Sequence, residues 1–436
     1  MLIVHRVNIL WGGIVSVARP AGLALCTILL PPSGAGAATH IVKPGGDRLA
    51  TALRNAAAGD RIVVKAGLHH GPVRVVRRVI VEGRPGAVVD GGGKGSVVIV
   101  AAPQAVVKGL TVRNSGISLQ DQDSGIMVLE TAHDARVENN RLTNNLFGIY
   151  LLGPNNALVR RNVVIGRRDL RENERGNGIQ LWRTPGSRIL ENDILYGRDG
   201  IFVETSKRNS FIGNRMRELR FAVHYMYTHR STVSQNISVG NDIGYAIMYS
   251  RRITVIGNMS IKDREHGLLF NFTNRSIIKR NIVGPGPKKC VFIYNANRND
   301  FRNNRFSGCR IGVHFTAGSE HNAMSGNAFI RNRRQVKYVG TRSLDWSRNG
   351  RGNYWSDHAA FDLNGDGIAD SPYRPNSIVD RIVWTHPSAK ILLNSPATRM
   401  LRWAQSHFPA IYPGGVVDTA PLMTPVHPVQ PIFWQE

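Results

Sequence analysis

One group of side chains in this sequence could bind a soft metal ion. Met226 and Met248 are 22 residues apart, and His224 lies two residues before Met226. Thioether sulfur and imidazole nitrogen suit Cu(I), whereas Ca²⁺ and Mg²⁺ prefer oxygen ligands. Methionine also provides an adaptable surface at protein contacts. The sequence therefore leaves two interpretations open for this group, a transient copper contact and a protein-docking surface.

A second candidate metal site follows later in the chain. Oxygen-bearing side chains alternate there at Asp362, Asn364, Asp366 and Asp370. This spacing, with a glycine at the sixth place, matches the first half of a calcium-binding loop. The twelfth place holds Tyr373, where such loops carry a bidentate glutamate. The segment is interpreted either as a Ca²⁺ site or as a turn rich in Asp and Asn.

The elements that would position these side chains follow from a repeat of about 22 residues. The repeat is marked by nine asparagines: Asn140, Asn162, Asn192, Asn214, Asn236, Asn258, Asn281, Asn304 and Asn327. One longer interval holds a charged insertion at 166–176. Short units of β-branched and aromatic residues with this period predict an all-β fold, a right-handed parallel β-helix. The asparagines are expected to hydrogen-bond to each other and to turn carbonyls, so their predicted role is structural.

A strand in each coil begins at a small residue, such as Ala222 or Gly244. The first and third residues after it are apolar in every coil, which places them in the core. The second and fourth residues must face outward, and they are unusually apolar and aromatic for a solvated sheet. From this face we expect partner contacts at six residues: Trp182, Phe202, Glu204, Phe292, Tyr294 and His314.

The ends of the chain differ from its repetitive middle. The first 38 residues contain two arginines, a short apolar run and small residues, which is typical of a secretory signal and predicts a periplasmic protein. The expected division is a signal peptide at 1–38, an N-terminal cap at 39–66, the parallel β-helix at 67–340, a C-terminal cap with the calcium-loop-like segment at 341–412, and a proline-rich extended tail at 413–436.

The composition restricts the class of partner. An excess of 56 Lys and Arg over 30 Asp and Glu gives a formal charge of +26, which favours nucleic acid, anionic lipid or an acidic protein. The arginines are scattered over turns and no nucleic-acid-binding module is visible, which argues against nucleic acid. Cys290 and Cys309 lie in adjacent coils, either as a disulfide or as two buried thiols.

A carbohydrate-active enzyme or polysaccharide-binding protein is the alternative function for such a β-helix. Glycosidases need two or more carboxylates converging on one face. Along the predicted outward face only Glu204 is acidic. The sequence therefore predicts a protein that is not an enzyme.

Several segments resemble the NosD family of periplasmic maturation factors of nitrous oxide reductase. They are Val223-His-Tyr-Met-Tyr227, Gly244-Tyr-Ala-Ile-Met-Tyr-Ser250, His266-Gly-Leu-Leu-Phe-Asn271, Arg351-Gly-Asn-Tyr-Trp-Ser-Asp357 and the run from Gly365 to Pro375. The resemblance covers essentially the whole mature chain. It implies a protein of denitrifying bacteria that sits on an ABC transporter, NosDFY, with the ATP-binding subunit NosF and the membrane subunit NosY.

The resemblance also implies further partners and a cargo. Members of the family are required for assembly of the copper sites of the apo-reductase and work with a lipid-anchored copper chaperone, NosL. Membrane association would come through the transporter. The resemblance supplies no set of metal ligands, so the copper residues proposed above depend only on their place in the repeat.

Overall fold

The computed structural model describes residues 36–316, 318–340, 342–408 and 414–429. Most of the predicted signal peptide, residues 1–35, lies outside this range, as do the last seven residues of the predicted tail. Within the described ranges no helix has the length and apolar character needed to span a bilayer.

The chain winds through three parallel sheets, and each coil contributes one strand to each sheet in turn. Sheet 1 has 13 strands: Thr39–Val42, Arg61–Val64, Ile80–Gly83, Val106–Lys108, Arg136–Glu138, Leu158–Arg160, Arg188–Leu190, Ser210–Ile212, Thr232–Ser234, Thr254–Ile256, Ile277–Lys279, Asp300–Arg302 and Ala323–Ser325. Sheet 2 also has 13: Gly67–His70, Ala87–Asp90, Thr111–Arg113, Arg141–Thr143, Val163–Ile165, Asp193–Leu195, Arg215–Arg217, Ile237–Val239, Met259–Ile261, Ile282–Val283, Arg305–Ser307, Ala328–Ile330 and Tyr354–Trp355. Sheet 3 has 12: Val73–Val75, Val98–Val100, Ser124–Val128, Phe147–Leu152, Ile179–Trp182, Asp199–Glu204, Phe221–Met226, Ile243–Met248, His266–Asn271, Lys289–Tyr294, Ile311–Thr316 and Val336–Val339. The expected all-β parallel solenoid is confirmed.

The helices lie at the two ends of the solenoid. They are α1 (Arg48–Asn55), α2 (Ile378–Thr385) and α3 (Pro396–His407), with a short 3₁₀ helix at Pro387–Leu392. A second short 3₁₀ helix, Glu172–Glu174, lies away from the ends, in the charged insertion. In α1, Leu49 and Leu53 are buried on one face, as their helical spacing predicts. In the α3 region, by contrast, Ile391, Met400 and Trp403 are exposed.

The asparagine column forms a continuous buried ladder. The side-chain amide of Asn214 donates to the Oδ1 of Asn236 in the next coil at 2.9 Å and to the carbonyl oxygen of Ile189 at 2.9 Å. The backbone N–H of Asn214 donates to the same Oδ1 of Asn236 at 2.9 Å. The same bonds recur from coil to coil, so the predicted structural role of the asparagines is confirmed. The sequence repeat missed the last member of the ladder, Asn353, which accepts from Asn327.

The last coil is closed by a segment from the far end of the chain. The backbone N–H of Asn353 and the indole N–H of Trp355 donate to the carboxylate of Asp418, at 2.7 and 2.8 Å. Trp355 also stacks between Phe329 and Tyr373, with ring centroids 4.3 and 4.6 Å apart. The described part of the proline-rich tail therefore packs against the last coil of its own chain.

Cys290 and Cys309 form a disulfide between neighbouring coils. Both residues are buried. Of the two interpretations that the sequence left open, the structure has the disulfide.

Candidate functional site

The predicted copper residues lie on the outward face of sheet 3. Met226 pairs in register with Met248, so their backbones lie about 4.8 Å apart. His224 precedes Met226 by two residues, which places both side chains on the same face of the strand. The residues between and beside them, Val223 and Tyr225, are fully buried in the core, whereas His224, Met226 and Met248 are partly exposed. The outward placement of all three side chains is confirmed.

The small residue at the start of each strand marks a tight corner. A Cβ at Gly200 would lie 2.6 Å from the carbonyl oxygen of Ala222, so a larger residue cannot be accommodated without a shift of the backbone. Asp199 pairs with Phe221 and Ile201 pairs with Val223, but Gly200 and Ala222 between them do not form a pair. This interruption turns the residue before the corner toward the outer face as well. Asp199 consequently lies beside His224.

Asp199 is the residue of the candidate site that the strand alternation missed. Its carboxylate is completely inaccessible, and its Oδ2 lies 2.9 Å from the Nδ1 of His224. Arg220 donates to both oxygens of the carboxylate, at 2.8 Å each. Burial by itself would raise the pKa of Asp199, but the bonds from His224 and Arg220 outweigh it and hold that pKa below its ordinary value. The carboxylate is therefore ionised at neutral pH and orients the imidazole.

This contact fixes which ring nitrogen of His224 is free. In a neutral imidazole, the Nδ1–H donates to Asp199 and Nε2 keeps its lone pair. Among the described residues no hydrogen bond reaches Nε2. A carboxylate bonded to the far nitrogen is the usual outer-shell partner of a metal-binding histidine. One imidazole nitrogen and two thioethers thus share one face, a donor set that suits Cu(I).

The ring of His224 is held by aromatic neighbours on two sides. Its centroid lies 5.0 Å from that of Phe202 and 4.8 Å from that of Phe221, both edge to face. The side chain is 11% exposed.

Part of the outward face is apolar and buried, which corrects the expectation of a fully exposed strip. Ala246 and Leu269 point away from the core but form a small cluster with Ile243, against which Phe221 and Met248 pack. Two further residues predicted to see solvent, Tyr150 and Gln180, are also buried. Residues immediately before the small residue contribute to this burial, since Phe221 and Ile243 pack in the cluster and the side-chain amide of Asn177 donates to Gln180 at 2.7 Å.

The predicted partner-binding residues fall into two groups along the face. Trp182, Phe202 and Glu204 precede the methionines, and Glu204 pairs in register with Met226. Trp182 is half-buried under the guanidinium of Arg183, which lies 4.4 Å from its ring centroid. These residues are continuous with the copper candidates on one surface.

The second group follows the methionines. Phe292 stacks on His314 with centroids 5.0 Å apart, and the ammonium of Lys289 lies 3.8 Å from the centroid of Phe292. Burial, with Lys289 and Lys337 nearby, lowers the pKa of His314 to about 3, so this imidazole is neutral. Tyr294 is 43% exposed. The structure thus places the six predicted contact residues on one face in two patches.

The calcium-loop-like segment is a compact turn. Backbone N–H groups of Gly365 and Gly367 donate to the carboxylate of Asp362 at 2.7 and 2.8 Å, and that of Leu363 donates to Asp370 at 2.7 Å. No group of three acidic, histidine or cysteine side chains suited to a metal ion is found in the part of the chain that the structure describes. These bonds are those of a turn rich in Asp and Asn, and calcium binding by Asp362, Asn364, Asp366 and Asp370 stays a prediction.

The sequence is similar to a known protein family over the coils that form this face. A family profile described as "Periplasmic copper-binding protein (NosD)" matches residues 161–360, which include every predicted partner and copper residue. A protein of Stutzerimonas stutzeri named "Probable ABC transporter binding protein NosD" is 39% identical over 378 residues, covering 84% of this chain and 87% of that protein. A protein of the same name from Pseudomonas aeruginosa is 39% identical over 381 residues, covering 84% and 89%.

The chain belongs to the NosD family. The resemblance inferred from the Met and His coils is confirmed, and so is the periplasmic location, since the NosD family is described as periplasmic. The names of the NosD relatives describe a binding protein of an ABC transporter, which is consistent with an accessory protein that is not an enzyme.

Solved structures share the architecture without close sequence similarity. A family 28 exopolygalacturonase of Yersinia enterocolitica matches with a TM-score of 0.54 at 10% identity, covering 66% of this chain and 79% of that chain. A mannuronic acid specific polysaccharide lyase from human gut microbiota matches with a TM-score of 0.52 at 11% identity, covering 72% and 87%. At this identity the likeness establishes the β-helix fold alone.

Proposed function

We propose that this protein is the periplasmic NosD component of an ABC transporter, NosDFY, required for maturation of the copper centres of nitrous oxide reductase. Its outward face on sheet 3 docks the copper chaperone NosL, the apo-reductase or both. His224, Met226 and Met248 contact Cu(I) as a transient cargo. The observation that carries the copper contact is the fixed imidazole, whose Nδ1 is bonded to buried Asp199 while Nε2 shares a face with two paired thioethers.

Membership of the NosD family supports the assignment to a transporter. The relatives' names describe an ABC transporter binding protein, and the family description includes copper. We propose that NosF and NosY anchor the protein at the membrane. The exposed apolar side chains of the α3 region, Ile391, Met400 and Trp403, are a candidate contact for the membrane subunit, together with the proline-rich end.

Replacing both methionines tests the copper contact. The double variant Met226→Ala, Met248→Ala is expected to weaken Cu(I) binding by about tenfold or more, because both soft thioether ligands are lost and only the imidazole of His224 remains. Cu(I) affinity is measured on the mature protein under reducing conditions by competition with a chromophoric chelator. The matched control, Met127→Ala with Met400→Ala, removes two thioethers elsewhere and should leave the affinity unchanged.

The same variant separates cargo binding from docking. Unchanged Cu(I) affinity with normal reductase maturation would eliminate direct ligation. Lost binding of the apo-reductase with intact copper affinity would favour the alternative, in which the face only holds the reductase open while metal arrives by another route. Thermal unfolding of each variant shows whether the solenoid is intact.

Asp199→Asn probes the orientation of the imidazole. Outer-shell partners of metal-binding histidines usually contribute about 10- to 100-fold to affinity, and a loss of that size in Cu(I) binding is expected. Asparagine preserves the shape of the side chain, and Asn177 occupies the same place one coil earlier. If Asp199→Asn binds Cu(I) as tightly as the parent while His224→Ala does not, Asp199 has no positioning role.

A further inference from the structure

A ladder of exposed aromatic rings runs along the edge of the outward face. Tyr227, Tyr249 and Phe272 follow the last residue of three successive sheet 3 strands and are 38–48% exposed. Tyr249 stacks on Tyr227 and on Phe272, with centroids 5.1 Å apart in both pairs. These three residues, here named the aromatic ladder, were not singled out by the strand alternation because they lie one place beyond it.

The backbone at the aromatic ladder is in a conformation that bulky residues rarely adopt. Tyr227, Tyr249 and Phe272 have φ values of 51, 48 and 48°. This left-handed region is favoured by glycine and asparagine, and Asn295 occupies it in the following coil with a φ of 46°. Arg183 and Thr205 adopt the same conformation at this place in the two preceding coils. The turn therefore sets this backbone, and what distinguishes the aromatic ladder is that three successive coils carry an exposed ring there.

A strip of arginines runs parallel to the aromatic ladder on the same turns. It comprises Arg208, Arg230, Arg252, Arg275 and Arg298, here named the arginine strip. The backbone N–H groups of Arg230 and Arg252 donate to carbonyl oxygens of the next coil at 3.0 Å, so the strip is as regular as the sheets. Over four coil spacings of about 4.8 Å the strip extends about 19 Å.

The positive charge of the arginine strip is not neutralised within the protein. In the described part of the chain none of its five guanidiniums lies within ion-pair distance of a carboxylate. Arg251 adds a further exposed charge, and the groove that it lines with Arg275 and Arg298 encloses about 530 Å³. The acidic residue lining this groove, Glu320, lies at its end and pairs with Arg342 at 3.0 Å. Burial and the charge of Arg251 lower the pKa of His229 on the same turns, which agrees with a positive local potential.

The stacking of the rings determines what kind of anion fits. Both faces of Tyr249 are covered by its neighbours, and Tyr227 and Phe272 each have one face covered by Tyr249, so most of the ring faces of the aromatic ladder are occupied. It presents ring edges, which carry the positive side of the aromatic quadrupole, and phenol hydroxyls, which can donate hydrogen bonds. Edges and hydroxyls beside guanidiniums suit carboxylates.

We propose that an extended acidic segment of a partner protein binds along the arginine strip, with its carboxylates between the guanidiniums and the edges of the aromatic ladder. A length of about 19 Å corresponds to about six residues of extended chain at about 3.3 Å per residue. The surface lies on turns, so the assignment stands independently of whether Met226 and Met248 contact copper.

Charge removal on the strip tests the proposal. Fluorescein-labelled hexaglutamate is titrated with the full mature protein in low salt, with hexaglutamine as the uncharged comparison and a galacturonate hexamer as the acidic sugar. The triple variant Arg230→Gln, Arg252→Gln, Arg275→Gln is expected to bind hexaglutamate about tenfold or more weakly. The matched control, Arg280→Gln, Arg310→Gln, Arg331→Gln, removes three exposed arginines from other turns and should change affinity by less than about twofold.

A second variant tests the rings separately. Tyr249→Asn introduces the residue type that already fits this backbone at Asn295, so the fold is retained, and weaker hexaglutamate binding is expected. Three results would overturn the proposal: no binding of hexaglutamate by the parent protein, equal weakening in both triple variants, or tighter binding of the galacturonate hexamer than of hexaglutamate. Thermal unfolding of every variant confirms that affinities are compared between folded proteins.

Discussion

Replacing Asn236 with alanine is expected to lower the free energy of unfolding by about 3–5 kcal/mol, because it removes several buried hydrogen bonds at once. The Oδ1 of Asn236 accepts from the backbone and the side chain of Asn214, and its amide donates to Phe211 and Asn258, all at 2.9 Å. Without the side chain, these buried partners are left unsatisfied, at a cost of about 1–3 kcal/mol each before relaxation. The loss is measured by urea denaturation followed by circular dichroism.

The control for this prediction lies on the same coil. Thr232 is on the outward side of sheet 1, and Thr232→Ala should cost less than about 1 kcal/mol. If Asn236→Ala costs no more than Thr232→Ala, the asparagine ladder does not stabilise the solenoid in the way described.

Asp263→Asn is expected to stabilise the protein at pH 8 and not at pH 4. Asp263 occupies a buried asparagine-like position, where its carboxylate accepts from the hydroxyls of Ser238 and Ser260, at 2.7 and 2.6 Å, and from the backbone of Asn241 at 2.8 Å. Burial raises its pKa to about 6, although the hydrogen bonds act in the opposite direction. The native state therefore retains a proton that the unfolded chain releases near pH 4.

The sign of the effect follows from this raised pKa. The stabilising contribution of the protonated group is complete below pH 4 and is lost as the pH rises through about 6. A shift of two pKa units corresponds to about 3 kcal/mol, and this is the gain expected from the uncharged asparagine above pH 6. Asn241 shows that the amide fits one coil earlier, where it donates to the carbonyl oxygen of Met216 at 3.0 Å.

The measurement for Asp263 is the free energy of unfolding at pH 4, 6 and 8. Asp193→Asn serves as the control, because its partly exposed carboxylate pairs with Arg217 at the surface. That variant should gain no stability at pH 8, because it removes no buried charge. An Asp263→Asn protein with the same pH dependence as the parent would show that Asp263 ionises in the native state as it does in water.

The repeat made most of the fold and the orientation of the candidate copper residues predictable. In a solenoid, residues that share a place in the repeat are stacked in space, so the inward position of Val223 and the outward position of Met226 both follow from counting. The same counting relates Met226 to Met248. The two-residue alternation within a strand gives the direction of each side chain, and the coil length of about 22 residues gives its neighbours in the stack. No long-range contact has to be known in advance.

Other features of the site and the fold leave no pattern that recurs with the repeat of about 22 residues, so the sequence did not predict them. Asp199 was missed because the corner at Gly200 interrupts the alternation and brings one additional column to the outer face. A search for polar residues immediately before each small residue would have identified it. The contact of Asp418 with Asn353 spans 65 residues and occurs once. It therefore could not be predicted from the sequence repeat.

Asp418 also determines how folding of the solenoid must finish. Each coil pairs with the next one, 30 residues away at the charged insertion and 22 at Met226 and Met248. Contact order is therefore low, and the sheets can grow coil by coil from a nucleus. The last coil is different. The backbone N–H of Asn353 and the indole N–H of Trp355 gain their acceptor only when the segment around Asp418 packs against this coil. Until then the molecule carries an unpaired strand edge that a second molecule could join. By covering this strand edge, the segment around Asp418 is expected to prevent end-to-end association of two solenoids.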